Sequence, residues 1–141
     1  MFSATQNTAL GKHLLIDFHG CPFDTLNDIE WIRTSLIEAA GHIGATIVTD
    51  VFHRFAPQGV SGVVVIAESH LAIHTWPEFG IASIDLFSCS DRIADSALAP
   101  FLARAFRAGK WESSQHERGR RPQPTLPSAT PFETRLDAPK G

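Results

Sequence analysis

Between residues 67 and 78 the sequence reads Ala67, Glu68, Ser69, His70, Leu71, Ala72, Ile73, His74, Thr75, Trp76, Pro77, Glu78, a serine between a carboxylate and two histidines in an otherwise apolar setting. A zinc site could draw on His70, His74 and Cys89. Residues four apart in an extended strand, however, lie roughly 13 Å apart, too far to share one ion, so no metal is expected. A serine hydrolase needs its nucleophile on a sharp turn between glycines, whereas Ser69 is flanked by Glu68 and His70. Self-cleavage is the third option. The Ser69 hydroxyl can attack the Glu68 carbonyl carbon and exchange the amide for an ester. Loss of the Ser69 α-proton then expels the ester by β-elimination, and hydrolysis of the dehydroalanine leaves a pyruvoyl group. That route needs an oxyanion donor, a base and a strained turn; His74 can be the base and Ser61 a hydroxyl donor.

The elements that must position these groups follow from periodicity. Residues 12–18 and 59–66 are apolar runs that read as strands, the first ended by Gly20 and Pro22. Asn27 followed by Glu30 has the form of a capping box, and Ile29, Ile32, Leu36, Ala40 and Ile43 recur at helical spacing until Gly41 and Gly44. Residues 45–53 are rich in β-branched and aromatic types, and alternation at residues 71–75 and 84–88 predicts two further strands with Pro77 and Gly80 in the turn between them. A second helix spans Leu98 to Phe106, closed by Gly109, with Pro100 requiring a start near Ala99 or a kink, and a last strand covers residues 110–116. The order of elements predicts an α+β fold, a two-layer sandwich of an antiparallel sheet with two helices on one face.

Composition narrows the class. With 141 residues, 43% hydrophobic and 19% charged, the chain matches one domain with a modest core over residues 1–120, followed by a Pro-rich flexible tail over 121–141. A net charge of -3 and a pI near 6.1 argue against a nucleic-acid partner. The absence of a secretion-like start and of any apolar run of about eighteen residues argues against a membrane. A cytoplasmic location follows as the expectation, with Cys21 and Cys89 as free thiols.

Residues 52–62 (Phe52, His53, Arg54, Phe55, Ala56, Pro57, Gln58, Gly59, Val60, Ser61, Gly62), the run from Glu68 to Glu78 and the segment from Asp85 to Cys89 closely resemble the short prokaryotic S-adenosylmethionine decarboxylases, pyruvoyl enzymes of spermidine biosynthesis. His116, Glu117, Arg118, Gly119, Arg120 and the segments at Gly11 to His13 and Asn27 to Asp28 extend the resemblance over roughly residues 10–120.

The resemblance implies cleavage between Glu68 and Ser69 into a β chain of residues 1–68 and an α chain of residues 69–141 beginning with pyruvoyl. It implies His74 as processing base, Ser61 as processing assistant, Cys89 as catalytic proton donor, and Phe55 and Glu78 as substrate-binding residues. It further implies a homodimer of αβ units, a heterotetramer of two α and two β chains, in which Ser69 and Cys89 of one protomer face Ser61 and His74 of the other. The substrate S-adenosylmethionine would condense through its amine with the pyruvoyl ketone as a Schiff base and lose carbon dioxide. A thiol with a pKa near 8.5 suits return of the proton. Where many relatives have Tyr, Gly, Tyr after the motif glutamate this chain has Phe79, Gly80, Ile81, and Ser90 stands where many have glycine. Ornithine or arginine as substrate, and an inactive interaction module, are the alternatives. His13, His19, His53 and Cys21 read as structural, and His70 as shaping the turn beside Ser69.

Overall fold

In the computed structural model, residues 9–122 are described. Six strands form one antiparallel sheet: β1 (Ala9–His19), β2 (Ile47–Arg54), β3 (Val60–Ile66), β4 (Ser69–Trp76), β5 (Ile81–Ser88) and β6 (Lys110–Arg120), in the order β2-β3-β4-β5-β1-β6. Helices α2 (Ile29–His42) and α3 (Leu98–Phe106) pack against the sheet and against each other, and a single turn, α1 (Phe23–Leu26), precedes α2. The expected α+β sandwich is therefore the observed one, with α1 as an added element.

The core lies between the helices and one face of the sheet. Ile32, Leu36, Ala39 and Ala40 of α2 and Leu98, Leu102 and Phe106 of α3 meet Ile16, Phe18, Val64, Leu71, Ile73, Ile84 and Leu86, all buried in one cluster. Phe18 and Phe106 meet edge to face with centroids 5.7 Å apart. Each buried Ile, Leu, Val or Phe side chain contributes about 1.5–3 kcal/mol by leaving water. The opposite face carries no helix. Alternation puts Val51, Val63, Val65, Ala72, Asp85 and Leu15 there, and Val51 is 65% exposed.

Several local expectations are corrected. Asp28, not Asn27, caps α2: its Oδ1 accepts from the Trp31 N–H at 3.1 Å. Asn27 sits one residue too early and instead accepts the Gly59 N–H at 2.9 Å, fixing the turn between β2 and β3. Helix α3 starts at Leu98, so Pro100 lies in its first turn, where a missing N–H costs no helical bond. Its left-handed cap is Arg107 (φ 56), while Gly109 already donates to His19 O at 2.8 Å and leads into β6. Pairing with β1 carries β6 on to Arg120, beyond the expected end at residue 116. The tail expected over 121–141 lies outside the described residues, except for Arg121 and Pro122, which are exposed and without regular structure.

Thr75 ties three elements together. Its buried hydroxyl donates to Leu26 O and accepts from Val60 N, each at 2.9 Å. Thr75→Val keeps the shape but strands both partners in the core. It should lower stability by about 2–3 kcal/mol, read as a shift in urea midpoint; an unchanged midpoint would show that water replaces the hydroxyl.

Candidate active site

The strand β4 separates the predicted residues into two groups. Ser69 opens it, and His74 lies five residues along, about 17 Å away at the rise of an extended strand. At the first end are Glu68, Ser69 and Cys89. At the second are Ser61, His74, Phe55 and Glu78.

At the first end, β3 and β4 are joined by the two-residue turn Ala67 and Glu68. The pairing of Ser69 with Ile66 on one side and Ser88 on the other leaves almost no slack, and Ser69 takes a φ of 154°, a positive value that few residues other than glycine adopt. Such a conformation costs on the order of 1–3 kcal/mol. The carbonyl of Glu68, which the Ser69 hydroxyl would attack, accepts the Cys89 backbone N–H at 3.0 Å. That donor polarises the carbonyl and stays in place for an oxyanion. The exposed Cys89 thiol borders a cleft of about 330 Å³ with Gly11, Lys12, Ser88 and Asp91.

Glu68 is buried, with 8% of the residue exposed. Its carboxylate accepts the Thr46 N–H at 3.1 Å and the Thr46 hydroxyl at 3.3 Å, with Arg92 Nη2 at 3.5 Å. The Thr46 N–H above all holds this carboxyl below the usual carboxylate range, against an opposing effect of burial and with help from the Thr46 hydroxyl and Arg92.

At the second end, Ser61 and His74 face each other across β3 and β4, and Ser61 Oγ lies 2.8 Å from His74 Nδ1. Phe55, Gln58, Gly59, Trp76 and Glu78 complete a cleft of about 230 Å³ around them. The Asn27 bond to Gly59 (φ 109°) shapes the loop that carries Phe55 and Gln58. The structure thus gathers Ser61, His74, Phe55 and Glu78 into one cleft and leaves Ser69 and Cys89 at the other end of β4, with Cys89 bordering a cleft of its own.

Two features escaped sequence reasoning. Thr46 and Arg92 are remote from Glu68 in the chain, and only the folded turn brings them to it. His13, His70 and Asp85, on three strands, bring one ligand-type atom each within 4.8 Å of one another. Arg118 Nη1 lies 3.1 Å from His13 Nδ1. A guanidinium only donates, so neutral His13 carries its proton on Nε2 and turns an N–H, not a lone pair, toward Asp85 Oδ1 at 3.8 Å. A metal ligand needs that lone pair; His13 Nε2 and Asp85 Oδ1 are buried and make no hydrogen bond among the described residues. Cys21 is buried among apolar groups, which pushes its thiol up to about 11, and it stays protonated.

A family model described as S-adenosylmethionine decarboxylase matches residues 12–119. The chain is 48% identical over 116 residues to an S-adenosylmethionine decarboxylase proenzyme of Syntrophomonas wolfei, covering 82% of this chain and 92% of that one. It is 46% identical over 125 residues to a proenzyme of the same description from Thermotoga maritima, covering 89% and 96%. Its structure superposes on the crystal structure of the adenosylmethionine decarboxylase from Aquifex aeolicus with a TM-score of 0.76 at 31% identity, covering 85% of this chain and 99% of that one.

A carboxyl held below its ordinary range stabilises the fold above the unfolded value of about 4.3, and that contribution is lost as pH falls through the lower folded value. In a Ser69→Ala background, which lacks the attacking hydroxyl, Glu68→Gln should therefore lower the urea midpoint fully at neutral pH. The gap should close on acidification below about 4; a gap independent of pH would contradict the held carboxylate.

Proposed function

The chain belongs to the S-adenosylmethionine decarboxylase family, and on that premise we propose that it cleaves itself between Glu68 and Ser69 and then decarboxylates S-adenosylmethionine for spermidine biosynthesis. The observation that carries this reading is the Glu68–Ser69 peptide itself: a serine at φ 154°, directly after a carbonyl that accepts the Cys89 N–H.

Attack of Ser69 Oγ on the Glu68 carbonyl carbon moves charge onto the oxygen that Cys89 N–H already meets, and collapse expels the Ser69 nitrogen, which gains a proton. Relief of the strained φ favours this acyl shift. Removal of the Ser69 α-proton by His74, with Ser61 as its hydrogen-bond partner, releases Glu68 as the carboxyl end of the β chain. Addition of water and loss of ammonia leave the α chain of residues 69–141 with a pyruvoyl start. That ketone supplies the electron sink for decarboxylation. Phe55 offers an aromatic face and Glu78 a carboxylate for the substrate, and Cys89 holds the proton returned to the α-carbon.

A homodimer completes the site. The bare sheet face exposes Val51, Val65 and Leu15, the kind of surface that a second sheet covers. A two-fold axis crossing the strands near Ala72 would lay Ser69 and Cys89 of one protomer over Ser61 and His74 of its partner. Residues 1–120 form the single catalytic domain. Among the described residues no helix is long and apolar enough to cross a membrane, and a cytoplasmic location suits a catalyst that needs a reduced thiol.

Intact mass measurement should find two fragments meeting at Glu68 and Ser69, the larger-numbered one reactive with hydroxylamine. Ser69→Ala should give one unbroken, inactive chain. Cys89→Ala should still cleave, with turnover lowered about 10²-fold or more. Cleaved protein should release carbon dioxide from S-adenosylmethionine and not from ornithine or arginine. An unbroken wild-type chain, or release from a basic amino acid alone, would overturn the proposal.

A further inference from the structure

Thr46, in the loop between α2 and β2, commits its backbone and its side chain to the two residues before the scissile bond. Its N–H and hydroxyl donate to the two oxygens of the Glu68 carboxylate at 3.1 and 3.3 Å, and its carbonyl accepts the Ala67 N–H at 2.7 Å. The Glu68 carbonyl, on the far side of the same residue, is held by Cys89 N–H. Glu68 is thereby fastened from two separate segments at once, the loop before β2 and the residue after β5. With both ends fixed, rotation of the Glu68–Ser69 peptide would break one of these bonds, and Ser69 keeps its unfavourable φ.

Charge adds a second reason for the arrangement. Attack on the carbonyl creates an oxyanion on the residue that already bears a carboxylate, and two like charges so close together oppose each other. Two donors from Thr46 draw the carboxylate charge toward the loop, leaving Cys89 N–H free for the oxyanion. We propose, resting on the self-cleavage reading above, that Thr46 is a positioning residue of processing: it acts through Glu68 to hold the scissile peptide against Cys89 and to keep Ser69 strained.

The rate of conversion of freshly synthesised full-length chain into two fragments tests this. Thr46→Val removes the hydroxyl donor and keeps the shape, and should slow cleavage about tenfold or more, as expected for loss of a hydrogen bond to a charged group. Thr46→Ser restores the donor and should cleave within about threefold of wild type. In a Glu68→Ala background the Thr46→Val change should have no further effect, because its partner is gone. Thermal unfolding of each variant shows whether it folds, and Thr46→Ser keeps the comparison decisive if Thr46→Val does not. Wild-type rates in Thr46→Val, failure of Thr46→Ser to rescue, or equal slowing with and without Glu68 would overturn the role of Thr46 alone. A wild-type chain that never cleaves would instead overturn the self-cleavage reading and this inference with it.

Discussion

An extended strand is a ruler, and β4 sets the scale of this molecule. Its pairing on both sides, with β3 and β5, fixes the rise between successive residues, so Ser69 and His74 cannot approach each other by any side-chain rotation. For the chemistry proposed, neither end of β4 is complete by itself. One has the hydroxyl, the strained peptide and the thiol; the other has the histidine, the aromatic ring and the carboxylate. In the proposed dimer, a second copy turned end for end on the uncovered sheet face would bring opposite halves together.

The same ruler explains where polar side chains are spent. Strands that end in short turns leave backbone groups without ladder partners, and buried groups of that kind are costly. The side chains of Thr75, Asn27 and Glu68 meet this need at three strand ends by accepting the N–H groups of Val60, Gly59 and Thr46. Two of these ties border the cleft around His74, and the third holds the Glu68 turn. Strain at Ser69 persists because the pairing and the ties around it over-determine its conformation.

Much of this was legible in the sequence. The alternation of Leu71, Ile73 and Thr75 with Ala72 and His74 announced β4, the Ile32, Leu36, Ala40 stripe announced α2, and the contiguous motif around Ser69 identified the family. What was illegible depended on register or on neighbouring choices of equal merit. Asn27 and Asp28 are both good caps, and only the position of Gly59 decides that Asn27 serves the turn. The length of β6 follows from β1 running back to Ala9, which no local pattern in the polar stretch at residues 113–120 reveals. Thr46 meets Glu68, and His13 meets Asp85, only after strands are paired, and no spacing rule links such residues. The strand read over residues 71–75 stops short of Ser69; the structure carries β4 back to Ser69, and that extension puts Ser69 and His74 at opposite ends of one strand.

Co-expression of two inactive variants tests the shared site most directly, one carrying Cys89→Ala and the other Glu78→Ala. If each site combines the two ends of different protomers, the mixed dimer holds one site with both changes and one with neither, and random pairing restores about a quarter of wild-type activity. If each protomer builds its own site, no intact site forms and activity stays at the level of the separate variants, which would contradict the account.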